Sequence, residues 1–264
     1  IAYYSGWLSK QGIAETGILD EDKNGFMMAI HKMDRSKGLD LLLHTPGGDL
    51  AATESIIDYL RQMFGRDIRA IVPQLAMSGG TVIACACKEI VMGTHSNLGP
   101  IDPQLRGLPA HGIIAEFQRA YDEIQIDPGR LVIWQPILNK YHPTFLSQCE
   151  NAIAMSKELA RNNLEQVMFY RDVEGRKNVE NIVKELNDYS GNKSHARHIH
   201  RDQCKKIGLK ILDLEADEIL QDLVLTVHHA YMHTLMNTAA FKMVENHLGV
   251  ALVKQRAQQI QQIF

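Results

Sequence analysis

"LDLLLHTPGGDL" (Leu39–Leu50) opens as a largely apolar run and ends on a proline and two glycines. Gly38 stands before the run, so six residues are bounded on both sides by turn formers. A largely apolar run of this length, with Asp40 as its one acidic residue, suits a strand buried on both faces, as in a parallel sheet, rather than a half-exposed strand, which alternates. Asp49 follows the glycines and can cap a helix. After it, Leu50, Ile56, Ile57, Leu60, Met63 and Phe64 recur near helical spacing, and Gly65 closes the segment. "IRAIVP" (68–73) then predicts a second buried strand, residues 79–88 a helix, and "EIVMGT" (89–94) a third strand. The resulting βαβαβ order is that of a layered α/β domain.

The rest of the chain extends this pattern. "LVIWQ" (131–135) reads as another strand, and the spacing from Pro143 to about Arg171 predicts a helix. "DQCKKIGLKILDL" (202–214) reads as helix, glycine stop and strand. Leu220, Leu223, Val224, Val227, Tyr231 and Leu235 mark a strong helix over 215–236, and the glutamine-rich tail from 249 reads as weakly helical. Residues 173–198 are polar, with "YSGNKSHARHIH" as the loosest stretch.

The bulk numbers exclude several classes. The 264 residues are 45% hydrophobic and 22% charged, which is ordinary globular composition and enough for one large domain with an appendage. A net charge of −3 gives no general pull toward nucleic acid or an anionic membrane. Cys85, Cys87, Cys149 and Cys204 form neither a CxxC pair nor a zinc spacing, so a reducing, cytoplasmic setting is the expectation. There is no apolar run of about 18 residues that would span a bilayer. The chain begins at Ile1 rather than Met, so an anchor upstream that associates it with a membrane stays open.

Two glycine turns come after two consecutive strands, "HTPGGDL" and "MSGGT". In a parallel sheet both lie on one edge, where crevices form. Glycine lets backbone N–H groups approach a ligand without a Cβ in the way. Two such turns side by side could give two N–H donors to one oxygen. Ser78 would stand just before a helix, where the dipole favours negative charge. The GxSxG elbow, the GxxxxGK[ST] phosphate loop and GxGxxG are all absent. His228, His229 and His233, with His195, His198 and His200, are the histidine-rich stretches; without an HExxH pattern they are better read as helix faces and loop residues, and no metal is expected.

"TPGGDL", "AMSGGTVIA" and "SNLGPIDPQ" occur in this order, and together they resemble the Clp-protease/crotonase superfamily. Within it the chain resembles the signal peptide peptidase A-like serine peptidases, and more closely the serine dehydrogenase proteinase family. That likeness extends through "PILNKYHPTFL" (136–146), "HARHIH" with "IGLK" (195–210) and "LEADEILQDLVLTVHHAYMHTL" (214–235), nearly the whole chain. It implies a Clp protease/crotonase-like layered α/β fold of repeated ββα-type units with a mainly parallel sheet and C-terminal helices. Residues 1–214 are then the catalytic domain, and 215–264 a helical extension for oligomerisation.

The resemblance also implies the chemistry. A serine peptidase would use Ser78 as nucleophile and Lys140, 62 residues further on, as base before a long helix. Its apolar setting, "VIWQPILNK", suits the lowered pKa a lysine base needs. Lys88 and Lys157 are poorer candidates. Backbone N–H groups of Gly48 and Gly79 would form the oxyanion hole. Gly47, Asp49, Leu98 and Gly99 would bind the substrate, with an extended peptide adding as a strand. The Ser-His-Asp alternative of the Clp-type subunit lacks its histidine: "SNLGPIDPQ" has none, and His95 and His111 merely flank it. His44 either lines the site or caps a strand end, and Ser96 or Asn97 could orient Lys140. No cofactor is implied. A peptide or protein substrate, a homo-oligomer and an ATPase or membrane partner are the expected associations. Two rival readings remain: a weakly active or inactive scaffold of the same fold, and a crotonase-type acyl-CoA enzyme, for which no clear set of nucleotide contacts is visible.

Overall fold

The computed structural model describes residues 1–188 and 196–256. At its centre is a seven-stranded sheet. The strands are β1 (Ala2–Ser5), β2 (Leu39–His44), β3 (Ile68–Val72), β5 (Glu89–Met92), β10 (Ile211–Asp213), β11 (Ala240–Glu245) and β12 (Ala251–Gln255). They lie in the order β10-β5-β3-β2-β1-β11-β12. From β10 across to β1 every pairing is parallel, and β11 and β12 add to the β1 edge antiparallel. β2 and β3 are the apolar runs that the sequence marks, and Leu41, Leu43, Ala70 and Val72 are fully buried. A sheet covered on both faces requires such largely apolar strands.

A second, small sheet lies beyond the ends of these strands. It is made of β4 (Leu75–Ala76), β6 (Asn97–Leu98) and β9 (Ile199–His200), with β6 in the middle. The chain thus passes twice from the large sheet to the small one, β3 to β4 and β5 to β6. After the first pass comes helix α3 (Gly79–Cys85). This is the layered ββα arrangement that the resemblance implies.

Helix α2 (Leu50–Phe64) begins where predicted, because the Asp49 side chain accepts from Ala52 N–H at 2.8 Å. Gly65, at φ 63°, ends it. Its apolar stripe, Ile56, Ile57 and Leu60, packs into the main core with α1 (Asp22–Ile30) and α3. The four cysteines are buried and free.

Two expectations are overturned. "LVIWQ" is not a strand: Leu131–Leu138 is a helix, α5, after α4 (Ala110–Ile126). Asp127 caps the connecting turn by accepting from Gly129 N–H, and Pro128 starts it, so the local start signal outweighs the apolar run. Of the five residues Trp134 alone is buried, where its indole N–H donates to Glu123 at 3.0 Å. The tail is also different. Residues 251–255 form β12, and β11 before it lies beside β1, so the segment after residue 214 holds one long helix and then two strands of the central sheet. Residues 257–264 lie outside the described part.

The remaining helices are α6 (Phe145–Asn163), α7 (Val173–Lys177), α8 (Val179–Leu186), α9 (Arg201–Ile207) and α10 (Glu218–Asn237). Gly208, at φ 102°, stops α9 before β10, as the sequence predicts. Among the described residues no helix is long and apolar enough to cross a membrane.

Candidate active site

Ser78 sits between β4 and α3 with φ 51° and ψ −116°. It is one of three non-glycine residues with positive φ among the described residues. A side chain in this region costs on the order of 1–3 kcal/mol and persists only where the surroundings impose it. Here they do. Gly80 N–H closes onto Met77 C=O at 2.8 Å, and Met77 N–H is held by Thr45 C=O at 3.0 Å. The turn thus has the strained strand-to-helix geometry of a nucleophile elbow, although the GxSxG pattern is absent.

The first glycine turn lies against it. A Cβ on Gly47 would fall 2.5 Å from Ser78 Cβ and 2.6 Å from Met77 O. Gly47 adopts φ 89°, so both space and conformation demand glycine there. Thr45, fully buried, joins the two turns: its N–H donates to Leu75 C=O, its C=O receives Met77 N–H, and its Oγ1 receives Gly47 N–H at 3.2 Å.

Gly48 and Gly79 carry the two amides that the sequence singles out. A Cβ on Gly79 would sit 3.5 Å from Gly48 N, so the two peptides are neighbours. Neither N–H is taken up by another group among the described residues. Gly79 N–H opens α3, where the first amides of a helix have no partner within it.

Ser78, Gly47, Gly48, Asp49 and Gly79 line one cavity of about 620 Å³. Its other walls come from places the sequence reading passed over: the Ile13–Gly17 segment, Leu105, and Ala152, Met155 and Ser156 on α6. Ser156 is buried and donates to Ile101 C=O at 2.7 Å. The spacing of 152, 155 and 156 is that of one helix face, which was the available signal. The wall is largely apolar, and among the described residues Asp49 is the one carboxylate, with no basic side chain in the lining.

The other predicted residues lie elsewhere. Lys140 is exposed, just past the end of α5, and lines a separate cavity of about 390 Å³ with Arg106, Tyr141 and Phe145. Leu98 and Gly99 do not present an open edge. β6 is paired on both sides, by β4 and β9, and Gly99 N–H donates to Thr81 Oγ1 at 3.0 Å. Ser96 Oγ donates to Val72 C=O at 2.6 Å and accepts from Gly93 N–H, which braces a turn. Asn97 Nδ2 donates to His95 C=O at 3.3 Å. His44 is fully buried away from the cavity. Its ring packs on Trp7 at 4.4 Å and edge-on to His228 at 5.3 Å, and neither ring nitrogen has a hydrogen-bond partner among the described residues. Burial first, and His228 second, push its pKa down to about 3.

No group of three or more His, Cys, Asp and Glu side chains among the described residues is placed to hold a metal. His195 lies outside the described part. The thiol of Cys85 on α3 is pushed up to about 12 by burial, so it does not compete as a nucleophile.

The strained serine at a helix mouth thus stands beside a second glycine turn at the ends of the parallel strands. The chain belongs to the ClpP-like SDH-type serine proteinase family, whose model matches residues 16–237. It is also similar to two uncharacterized proteins of Methanocaldococcus jannaschii. One is 43% identical over 94 residues, covering 36% of this chain and 32% of the relative. The other is 36% identical over 104 residues, covering 39% and 35%. The chain thus spans about a third of the length of the curated relatives it matches.

Proposed function

We propose that the chain is a serine peptidase that acts through Ser78, with the Gly48 and Gly79 amides as its oxyanion hole. The backbone of Ser78 carries this reading: a positive-φ serine directly before α3, with two uncommitted N–H groups beside it. Ser78 Oγ attacks the peptide carbonyl, and the oxygen that gains the negative charge is met by the two amides. The proton that the Ser78 hydroxyl gives up to the base passes to the leaving amine, and water then hydrolyses the acyl-enzyme and restores the hydroxyl. The largely apolar cavity lining excludes water and receives an apolar side chain of a peptide substrate. The peptide lies along the Gly47–Asp49 wall of the cavity, since β6 is already paired on both edges.

Lys140 is the base in this proposal, and it reaches Ser78 through movement. One hairpin, β7 (Gln104–Leu105) and β8 (Leu108–Pro109), contributes to the lining of both cavities. Gln104 and Leu105 line the Ser78 side, and Arg106 and Leu108 the Lys140 side. In this proposal a shift of that hairpin brings Lys140 toward Ser78. The exposed apolar side chains of α4 and α5, among them Ile126, Val132 and Ile133, support assembly with further copies of the chain.

The test is intact mass after exposure to a fluorophosphonate, with peptide hydrolysis measured in parallel. One adduct per chain, mapped to Ser78 and lost with Ser78→Ala together with a roughly 10⁴-fold or larger fall in kcat, is the expected result. An unlabelled, inactive wild type favours the scaffold reading. Activity retained in Ser78→Ala rejects this nucleophile.

A further inference from the structure

A buried lysine far along the chain reaches the wall of the Ser78 cavity. Lys242, on β11, is 1% exposed, and its ammonium donates to both oxygens of Asp22, at 3.0 and 2.8 Å. It also donates to the carbonyl of Gly17. Asp22 is itself fully buried and receives Tyr3 O–H at 2.7 Å, Leu19 N–H at 3.0 Å and the Lys254 ammonium at 3.0 Å. Two cations on one buried carboxylate offset its desolvation, and the remaining donor capacity of Lys242 goes to a single backbone oxygen.

The Gly17 carbonyl is one residue away from the first glycine turn's anchor. Gly17 lines the cavity, and its neighbour Ile18 is bridged to that turn. Ile18 N–H donates to Gly47 C=O at 2.8 Å, and Asp49 N–H donates to Ile18 C=O at 2.9 Å. These two bonds bracket Gly48 on both sides. The contact leaves no slack: a Cβ on Gly48 would fall 2.1 Å from Ile18 N. The preceding carbonyl, of Thr16, is held by Ser5 Oγ at 2.7 Å, and Ser5 is the β1 residue paired with Lys242. Consecutive carbonyls of one short segment are therefore fixed to adjacent strands of the large sheet. The Gly48 peptide plane inherits its orientation from that anchorage.

We propose that Lys242, held by Asp22, is a positioning residue for the oxyanion-binding amide of Gly48, acting through Gly17 and Ile18. The inference rests on the peptidase reading. Lys242 lies beyond the residues matched by the family model, so this anchor comes from a part of the chain outside that match.

Lys242→Met keeps the length of the side chain and removes the donor. Lys254→Met is the contrast, because Lys254 binds the same carboxylate without touching Gly17. Both variants lose an ion pair, so both lower the thermal midpoint. Lys242→Met alone lowers kcat, by about tenfold or more, with KM within about twofold, since a misplaced oxyanion donor acts on the transition state and not on ground-state binding. Hydrogen exchange at Ile18 and Asp49 N–H accelerates in Lys242→Met and stays slow in Lys254→Met. Where Lys242→Met does not fold, Ser5→Ala, which frees the neighbouring carbonyl, carries the test with a smaller change in the same direction. Equal kcat in the two lysine variants, or unchanged exchange in Lys242→Met, overturns the proposal. An inactive, unlabelled wild type overturns the peptidase reading instead, and the exchange arm still reports whether Lys242 anchors the Gly48 turn.

Discussion

The Ser78 turns and the lobe that carries Lys140 are built in different ways. Ser78, Gly47, Gly48 and Gly79 sit on turns that leave β2 and β4, and each turn is tied by backbone bonds to a neighbour already fixed in the sheets. The α4–α5 side is instead a satellite. Ala110, Ile113, Phe145, Cys149 and Ile153 form a small core of their own, separate from the large cluster beneath the sheet. Side chains of α5 such as Val132 stand 78% exposed. A nucleophile and its amide donors gain from rigidity, because preorganised dipoles need no rearrangement as charge develops. A lysine base needs a surrounding that can close over it, and a lightly packed lobe allows that.

The largest expected effect tests the satellite. Lys140→Ala should slow fluorophosphonate labelling of Ser78 by roughly 10²–10⁴-fold, the range of a positioned general base, without lowering the thermal midpoint. Labelling at the wild-type rate would show that the lobe does not deliver the base.

The next effect tests the rigid side. Gly47→Ala places a methyl against Ser78 Cβ and Met77 O at a residue with φ 89°. A loss of about 2 kcal/mol or more in urea unfolding is expected from strain and overlap, together with loss of labelling. A fully stable, active Gly47→Ala would mean that the turn yields, and the contrast between the two sides would dissolve.

A smaller effect sharpens the comparison by pH. The folded-state pKa of His44 is about 3, below its ordinary 6.5, because the ring is buried and faces Tyr4, Trp7 and His228. His228 is lowered to about 4, by burial first and then by His229 and His95. The other titratable groups around them are Tyr231, stacked on Tyr4, and Glu245, which accepts from the Tyr231 hydroxyl. Between the folded and unfolded values the unfolded chain binds more protons, so the stability that the neutral His44 contributes is fully present above about pH 6.5 and is lost as pH falls toward 3. His44 contributes at most about 1.4 kcal/mol per pH unit to that slope. His44→Phe should flatten the fall of the thermal midpoint below about pH 6.5. An unchanged slope would assign the acid sensitivity to other groups.

The strands of the rigid side were legible because their signals are local. Apolar runs bounded by glycine, the Asp49 cap and the Gly65 and Gly208 stops act within a few residues, and a single sequence displays them. Ser78, Gly48 and Gly79 were legible for the same reason, as turns after strands. "LVIWQ" misled because an apolar run has no periodicity to separate a buried strand from a helix, and the Asp127–Pro128 start signal outside it decides the outcome. Leu98 and Gly99 were misplaced because whether an edge is open depends on β9, which comes from residues 199–200, far along the chain.

Short stretches of chain settled the order of most strands and helices, the two glycine turns, and the serine beside them, because spacing and capping act between near neighbours. The positive φ of Ser78 was settled only in three dimensions, by Thr45 and Gly47 across the turn. So were the pairing of β11 with β1, which carries Lys242 to Gly17, and the separation of Lys140 from the serine. Each of these depends on which distant segments meet, and meeting is settled by the burial of the whole core rather than by any one stretch of chain.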